Sequence, residues 1–348
     1  MRASRMITAV DVHAEGEGGR VITGGMPRLN GNTVFKKMQY MQTHHDDIRT
    51  LMLQEPRGNP ALCCNALVEP CDPTADAGFI IMEQTEYPPM SGSNTICVTT
   101  VLLETGIIAM KEPFTELRLE SPAGLIDVTA TCKNGKVERV EFLNVPGFAV
   151  HINVPLEVPD YETVQVDIAW GGMFFVLSDA TQFNIDPTAE NGADIVKACE
   201  AMRHASLEQY PVTHPDNPDI SGPTISALTA NPSDPNTHGR GAISVSSGPY
   251  LQGKVTGALD RSPCGTGTCA KMAVLHAKGL LAINENYVNA GPLGTTFTGK
   301  IIGTTKIGKY DAIIPTLSGR AWITGISQYT LDPKDPFQTG FTVGDIWA

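Results

Sequence analysis

The chain has 348 residues, 41% of them hydrophobic, and a formal net charge of -12. That length buries a sizeable core and accommodates two domains of ordinary size. The acidic balance argues against a nucleic-acid partner, which would need a basic face, and no stretch approaches the ~20 apolar residues of a membrane span. An acidic chain can still bind a small anion wherever backbone N–H groups converge. The N-terminal residues lack the long apolar run and small-residue cleavage site of a signal peptide, so a cytoplasmic location is expected.

Strand-like segments rich in Val, Ile, Thr and Phe recur along the chain. RMITAVDVH (5–13) is the first, and a helix is expected within 32–53. FIIMEQTEY (79–87) leads into a helical segment at 91–106, followed by strands at 115–121, 125–131 and 137–145. VPLEVPDYET (154–163), polar and proline-containing, is the best domain boundary. Beyond it come TVQVDIAWGGMFFVLSD (163–179), a helix at 192–210, and two expected surface loops at 211–223 and 230–239. GAISVSSG (241–248), a helical segment at 264–279, and strands within 295–308 and 311–329 complete the series. Strands and then a helix, occurring twice, predict an α/β (α+β) protein of two similar halves, each wrapping curved sheet around a central helix. The expected halves are 1–155 with 328–348, and 156–327.

The two central helices repeat one another. SGSNTICVTTVLLETG (91–106) aligns without a gap on CGTGTCAKMAVLHAKG (264–279), matching at Gly92/Gly265, Thr95/Thr268, Val101/Val274, Leu102/Leu275 and Gly106/Gly279. Each copy opens on a small nucleophilic residue, Ser91 or Cys264, followed by glycine. Ser91, Ser93 and Asn94 are all suitable N-caps, so the first start alone reads as an ordinary helix cap. Cysteine is not a favoured cap, and its place before Gly-Thr-Gly points to chemistry. A helix N-terminus carries about half a positive charge and unpaired N–H donors. A thiol there is expected to ionise more readily than usual. Gly92, Ser93, Gly265 and Thr266 let a carboxylate approach the backbone closely. Asp260 suits a substrate ammonium, or else a helix cap or an ion pair with Arg261.

MSGSNTIC (90–97) and DRSPCGTGT (260–268) resemble the two signature motifs of the proline racemase family, which includes hydroxyproline 2-epimerases and trans-3-hydroxy-L-proline dehydratases. DVHAEGEGGRVITGG (11–25), EPRGNP (55–60), GTTFTGKIIGTT (294–305) and RAWITGISQY (320–329) look like further landmarks, so the resemblance spans nearly the whole chain. It implies a diaminopimelate-epimerase-like pair of halves, an active site in the inter-domain cleft, and no cofactor. By the same resemblance Cys264 is one acid–base group, Ser91 stands where a second cysteine is common, and Ser93 where histidine is common. Asp260 would bind the substrate nitrogen, and the N–H groups of Gly92, Ser93, Gly265 and Thr266 its carboxylate.

Serine is far less acidic than cysteine, and a helix terminus contributes at most ~2 kcal/mol, too little to make it an alkoxide at neutral pH. Proline racemisation is therefore disfavoured. The expected activity is two-base epimerisation of trans-4-hydroxy-L-proline to cis-4-hydroxy-D-proline, with trans-3-hydroxy-L-proline dehydration to 1-pyrroline-2-carboxylate as a second activity or the alternative. A non-catalytic amino-acid binder and a cysteine-nucleophile hydrolase are alternatives of other classes. The intact DRSPCGT disfavours the binder, and the hydrolase wants a histidine base that no neighbouring position supplies. The scatter of the eight cysteines gives no zinc spacing and no disulfide framework, so no metal is expected. His13 reads as a surface loop, His44 to Asp47 as a solvated loop or helix start, Cys63, Cys64 and Cys269 as core, and His276 as structural. The partner is a small molecule, with a homodimer left open.

Overall fold

The computed structural model describes residues 3–347; Met1, Arg2 and Ala348 lie outside the described residues. The chain forms two compact units, one running up to Phe142 and taking in Gly319–Ile346, the other comprising Leu143–Ser318.

In the first unit β1 (Arg5–Ala14) and β2 (Glu17–Gly24) form a hairpin. Its two-residue turn holds Glu15 and Gly16 at φ 47° and 115°, and glycine takes the second of these positive-φ positions at no steric cost. The region expected to hold one helix holds two, α1 (Val34–His44) and α2 (Asp46–Leu53), because the backbone breaks at His45. β3 (Leu62–Val68) runs parallel to β2 and antiparallel to β4 (Ala77–Met82). Then come α3 (Gly92–Glu104) and the meander β5 (Phe114–Ser121), β6 (Gly124–Lys133) and β7 (Lys136–Leu143). The C-terminal strand Ala321–Leu331 pairs antiparallel with all of β1, from Arg5↔Leu331 to Ala14↔Ala321. That pairing is why residues 319–327, expected in the second half, belong to the first unit.

Helix α3 packs against β1, β2, β3 and the C-terminal strand. Every residue from Gly92 to Leu103 is buried, so the helix is apolar all round rather than amphipathic. Its threonines remain compatible with burial because Thr95, Thr99 and Thr100 return their hydroxyls to the carbonyls of Ser91, Thr95 and Ile96 at 2.8–2.9 Å. A separate cluster with Ile7, Ile22, Met41, Ile48, Met52 and Ile80 seals α1 and α2 onto the sheet.

The second unit opens with the antiparallel run β8 (Gly147–Glu157), β9 (Thr163–Trp170) and β10 (Phe174–Asp179). Residues 147–155, expected to close the first half, are held here by the pairing of β8 with β9. Helix α4 (Gly192–Gln209) follows, and residues 211–223, expected as loop, form a small hairpin of β11 (Val212–His214) and β12 (Asn217–Gly222). Turn-rich composition concealed it because its strands are short and polar. β13 (Ile225–Ala230) lies parallel to β10 and antiparallel to β14 (Gly239–Ser246), which pairs with β15 (Gly257–Leu259). After α5 (Gly265–Ala277) come β16 (Asn286–Ala290), β17 (Thr296–Ile307) and β18 (Tyr310–Gly319), antiparallel in sequence; the C-terminal strand is thus β19. Helix α5 packs on β8, β9, β10 and β17. The β9–β10 turn presses so close that a Cβ on Gly171 would meet Thr266 O at 2.2 Å and Ala270 N at 2.4 Å.

The two central helices are structural copies. Each spans 13 residues. Each ends with a glycine in the left-handed region, Gly106 at φ 73° and Gly279 at φ 72°, donating to the carbonyl three residues back (Leu103 or His276).

Candidate active site

At the first helix start, Ser91 is the N-cap in relaxed extended backbone, φ -147° and ψ 124°. Its Oγ accepts from the Asn94 side-chain Nδ2 at 2.9 Å and from the Asn94 backbone N at 3.5 Å, with Ser93 Oγ at 3.3 Å. Asn94 is itself anchored. Its Oδ1 accepts from Asn65 Nδ2 at 2.6 Å, and the same Asn65 amide faces the carbonyls of Gly19 and Arg20 at 3.4 Å each. The side chains of Ser91, Ser93, Asn94 and Asn65 are all buried, and Ser91 retains 8% exposure.

The second start is built differently. Cys264 sits at φ 60°, ψ 113°, in the left-handed region that costs a non-glycine residue about 1–3 kcal/mol. Its side chain makes no capping bond. The bends around it explain how this conformation is held. Ser262 Oγ accepts from Cys264 N at 3.0 Å, and Asp260 Oδ1 accepts from Ser262 N at 2.7 Å. Behind them, Asn289 Nδ2 donates to Pro263 O at 3.1 Å and to Thr268 Oγ1 at 3.0 Å. Asp260 therefore caps a turn, not the helix. The thiol rests among Met173, Phe175, Ile225 and Ile243.

Burial pushes the Cys264 thiol well above the usual thiol range, the neighbouring Asp260 charge pushes the same way, and the Gly267 N–H and Thr266 hydroxyl pull against them. This corrects the expectation of an easily ionised thiol: the helix start does favour the thiolate, but loss of water and a nearby carboxylate outweigh it. Gly267 keeps the space beside the sulfur, since a Cβ there would stand 3.1 Å from Cys264 Sγ and 3.2 Å from Phe175.

Ser91, Gly92 and Ser93 thus share the opening of α3, and Asp260, Cys264, Gly265 and Thr266 that of α5. The other titratable candidates take structural places. His13 lies in β1, not in a loop, stacked on Trp322 at 5.2 Å. Asp46 pairs with Arg49 at 2.7 Å. Cys64 and Cys269 are fully buried, each pushed up to about 12 mainly by desolvation. His276 Nδ1 contacts Leu281 O at 2.9 Å. Sequence reading treated Asn94 and Ser262 only as possible caps and passed over Asn65. The signal for Asn94 was its position three residues after Ser91, one helical turn on. Among the described residues no three metal-ligating side chains cluster, and no helix is long and apolar enough to cross a membrane.

The two copies of one helix each open on a group able to carry a proton. The proline racemase profile matches residues 9–342. The chain belongs to the proline racemase family. Its fold superimposes with a TM-score of 0.92 on a hydroxyproline epimerase from Agrobacterium vitis solved with bound trans-4-hydroxy-L-proline, at 35% identity over 100% of this chain and 98% of that one. A probable proline racemase from Agrobacterium radiobacter K84, solved with bound carbonate, gives 0.91 at 37% identity over 98% of both chains. A PhzF-family phenazine biosynthesis protein from Bacillus anthracis shares the fold alone, with a TM-score of 0.58 at 9% identity over 94% of this chain and 100% of that one. The chain is accordingly a racemase or epimerase by family, with the mixed α/β fold of that family.

Proposed function

We propose that this protein is a 4-hydroxyproline 2-epimerase that interconverts trans-4-hydroxy-L-proline and cis-4-hydroxy-D-proline by moving the α-proton between Cys264 and Ser91. The observation that carries the reading is the whole-chain likeness to an epimerase holding trans-4-hydroxy-L-proline, joined to a thiol kept in place here at real backbone cost.

The reaction needs one group to take the α-proton and another to supply a proton from the opposite face. In this reading Cys264 is the first. Burial raises the thiol most and the Asp260 charge adds to it; the ring ammonium of hydroxyproline, seated by Asp260, offsets that second contribution and so favours release of the thiol proton to solvent as substrate arrives. The carboxylate takes the unpaired N–H groups at the helix starts, including those of Gly92, Ser93, Gly265 and Thr266, and these also steady the enolate-like charge that forms when the proton leaves. Ser91 returns the proton.

Serine in place of a second thiol also favours a second reading, trans-3-hydroxy-L-proline dehydratase. That reaction needs one good base and one proton donor for the departing hydroxyl, and does not need two matched bases. Incubating purified protein with each hydroxyproline separately, then resolving products by chiral chromatography, tests both. The cis-D epimer from the 4-hydroxy compound is the expected product. 1-Pyrroline-2-carboxylate from the 3-hydroxy compound, with the 4-hydroxy compound returned intact, would make the protein a lyase.

A further inference from the structure

We infer that Asn94, held by Asn65, leaves Ser91 only its O–H to offer the substrate and steadies the alkoxide it becomes, so the two acid–base groups of this protein are supported in different ways. The inference rests on the epimerase reading and specifies how its weaker partner works.

Asn65 Nδ2 faces the carbonyl oxygens of Gly19 and Arg20 at 3.4 Å each, which settles its amide orientation, since a flipped amide would set oxygen against two oxygens. Its N–H then also meets Asn94 Oδ1 at 2.6 Å. That in turn leaves the NH2 of Asn94 facing Ser91, where it donates to Oγ at 2.9 Å. The Asn94 backbone N–H approaches the same oxygen at 3.5 Å. A hydroxyl has one proton and two lone pairs. Both acceptor positions of Ser91 are therefore occupied by Asn94, and only its O–H remains to engage Ser93, 3.3 Å away, or a ligand.

A serine wired this way gives up its proton more readily than a free serine, and its alkoxide is the base that the reverse reaction uses. When it gives up its proton, the two N–H groups already point at the oxygen that becomes negative, an oxyanion hole turned on a side chain. The Cys264 thiolate takes the α-proton and becomes a thiol. The carbon receives the Ser91 proton on its other face, leaving the serine alkoxide. Water then carries a proton from the thiol to the alkoxide, restoring the starting form, and the reverse reaction runs through the same steps backwards. Glycine at position 19 lets the backbone close on the Asn94 amide: a Cβ there would lie 3.0 Å from Asn94 Oδ1 and 2.8 Å from Cys97 Sγ. Asn94 is a positioning residue throughout, since it acts on substrate only through Ser91.

The experiment is deuterium incorporation at Cα in D2O, followed with inversion in the same tube, starting separately from trans-4-hydroxy-L-proline and cis-4-hydroxy-D-proline. Asn94→Asp replaces the donor by an acceptor, and Asn65→Ala releases the amide to flip. With Asn94→Asp, inversion is expected to fall ~10²–10³-fold, the usual loss for one oxyanion donor. From the isomer whose α-proton faces Cys264, exchange without inversion persists; from the other isomer exchange falls along with inversion. Asn65→Ala shows the same asymmetry more weakly. Equal loss of exchange and inversion from both isomers would mean a merely structural role and overturn the inference. Unchanged inversion in Asn94→Asp would overturn it too. Absence of exchange from both isomers in the unmodified protein would instead overturn the epimerase reading on which it rests.

Discussion

The openings of α3 and α5 differ far more than the helices behind them. Both helices run 13 residues, lie buried on curved sheet, and stop at a left-handed glycine. Yet Ser91 rests in extended backbone with its oxygen fully engaged, whereas Cys264 sits at φ 60° with no capping bond and an apolar wall around its sulfur. The first start satisfies the rules of helix capping. The second violates them and is held in place by Ser262, Asp260 and Asn289. Duplication explains the common frame. The chemistry lies in the departures from it, where one copy has a strained thiol and the other a serine with donors aimed at its oxygen.

Replacing the strained group should break the comparison most completely. Cys264→Ala is expected to lower epimerisation at least ~10³-fold, since it removes the base itself, as read by chiral assay of the product. Ser91→Ala follows, at about 10²–10³-fold. By contrast Ser91→Cys should make the two starts chemically alike and bring in measurable proline racemisation, detectable by polarimetry with L-proline. Asp260→Asn comes next in size. Loss of the ammonium partner should raise KM ~10–100-fold, matching the ~1.5–3 kcal/mol of a hydrogen bond to a charged group. Because the Asp260 charge raises the thiol, this variant should also move the pH profile of iodoacetamide alkylation at Cys264 to lower pH. In the unmodified protein that profile should lie above the usual thiol pKa of ~8.5, with alkylation accelerating as pH rises through it. A profile centred well below ~8.5 would mean the helix terminus outweighs burial. The smallest effect is expected at Gly267→Ala. Alanine favours a helix by about 0.8–1.0 kcal/mol, so thermal stability should hold while turnover drops several-fold from crowding at the sulfur.

Much of this was legible in the residues because it depends on local pattern. The gapless match of 91–106 to 264–279 gave the two central helices and their shared glycine stops, and DRSPCGT marked the second start. Other features depended on partners distant in sequence. Residues 321–331 belong with the first unit through their ladder with 5–14 and their packing on α3, and no periodicity reveals a strand's partner. Asn65 became significant only when β3 was placed beside β2 and its amide met Asn94. The thiol was misjudged for a related reason. The helix start that favours ionisation is visible in sequence, but the residues that desolvate Cys264 come from β9, β10, β13 and β14. Electrostatic sign depends on that full environment, not on the helix alone.

The central claim is that Cys264 takes the α-proton of a hydroxyproline. Proton NMR of trans-4-hydroxy-L-proline in D2O, with the unmodified protein and Cys264→Ala side by side, tests it most directly. The account predicts that the Cα proton signal decays with the unmodified protein while the cis-D epimer grows in carrying deuterium, and that both changes vanish in Cys264→Ala. A Cα signal that stays intact with the unmodified protein, or that decays equally in Cys264→Ala, would contradict it.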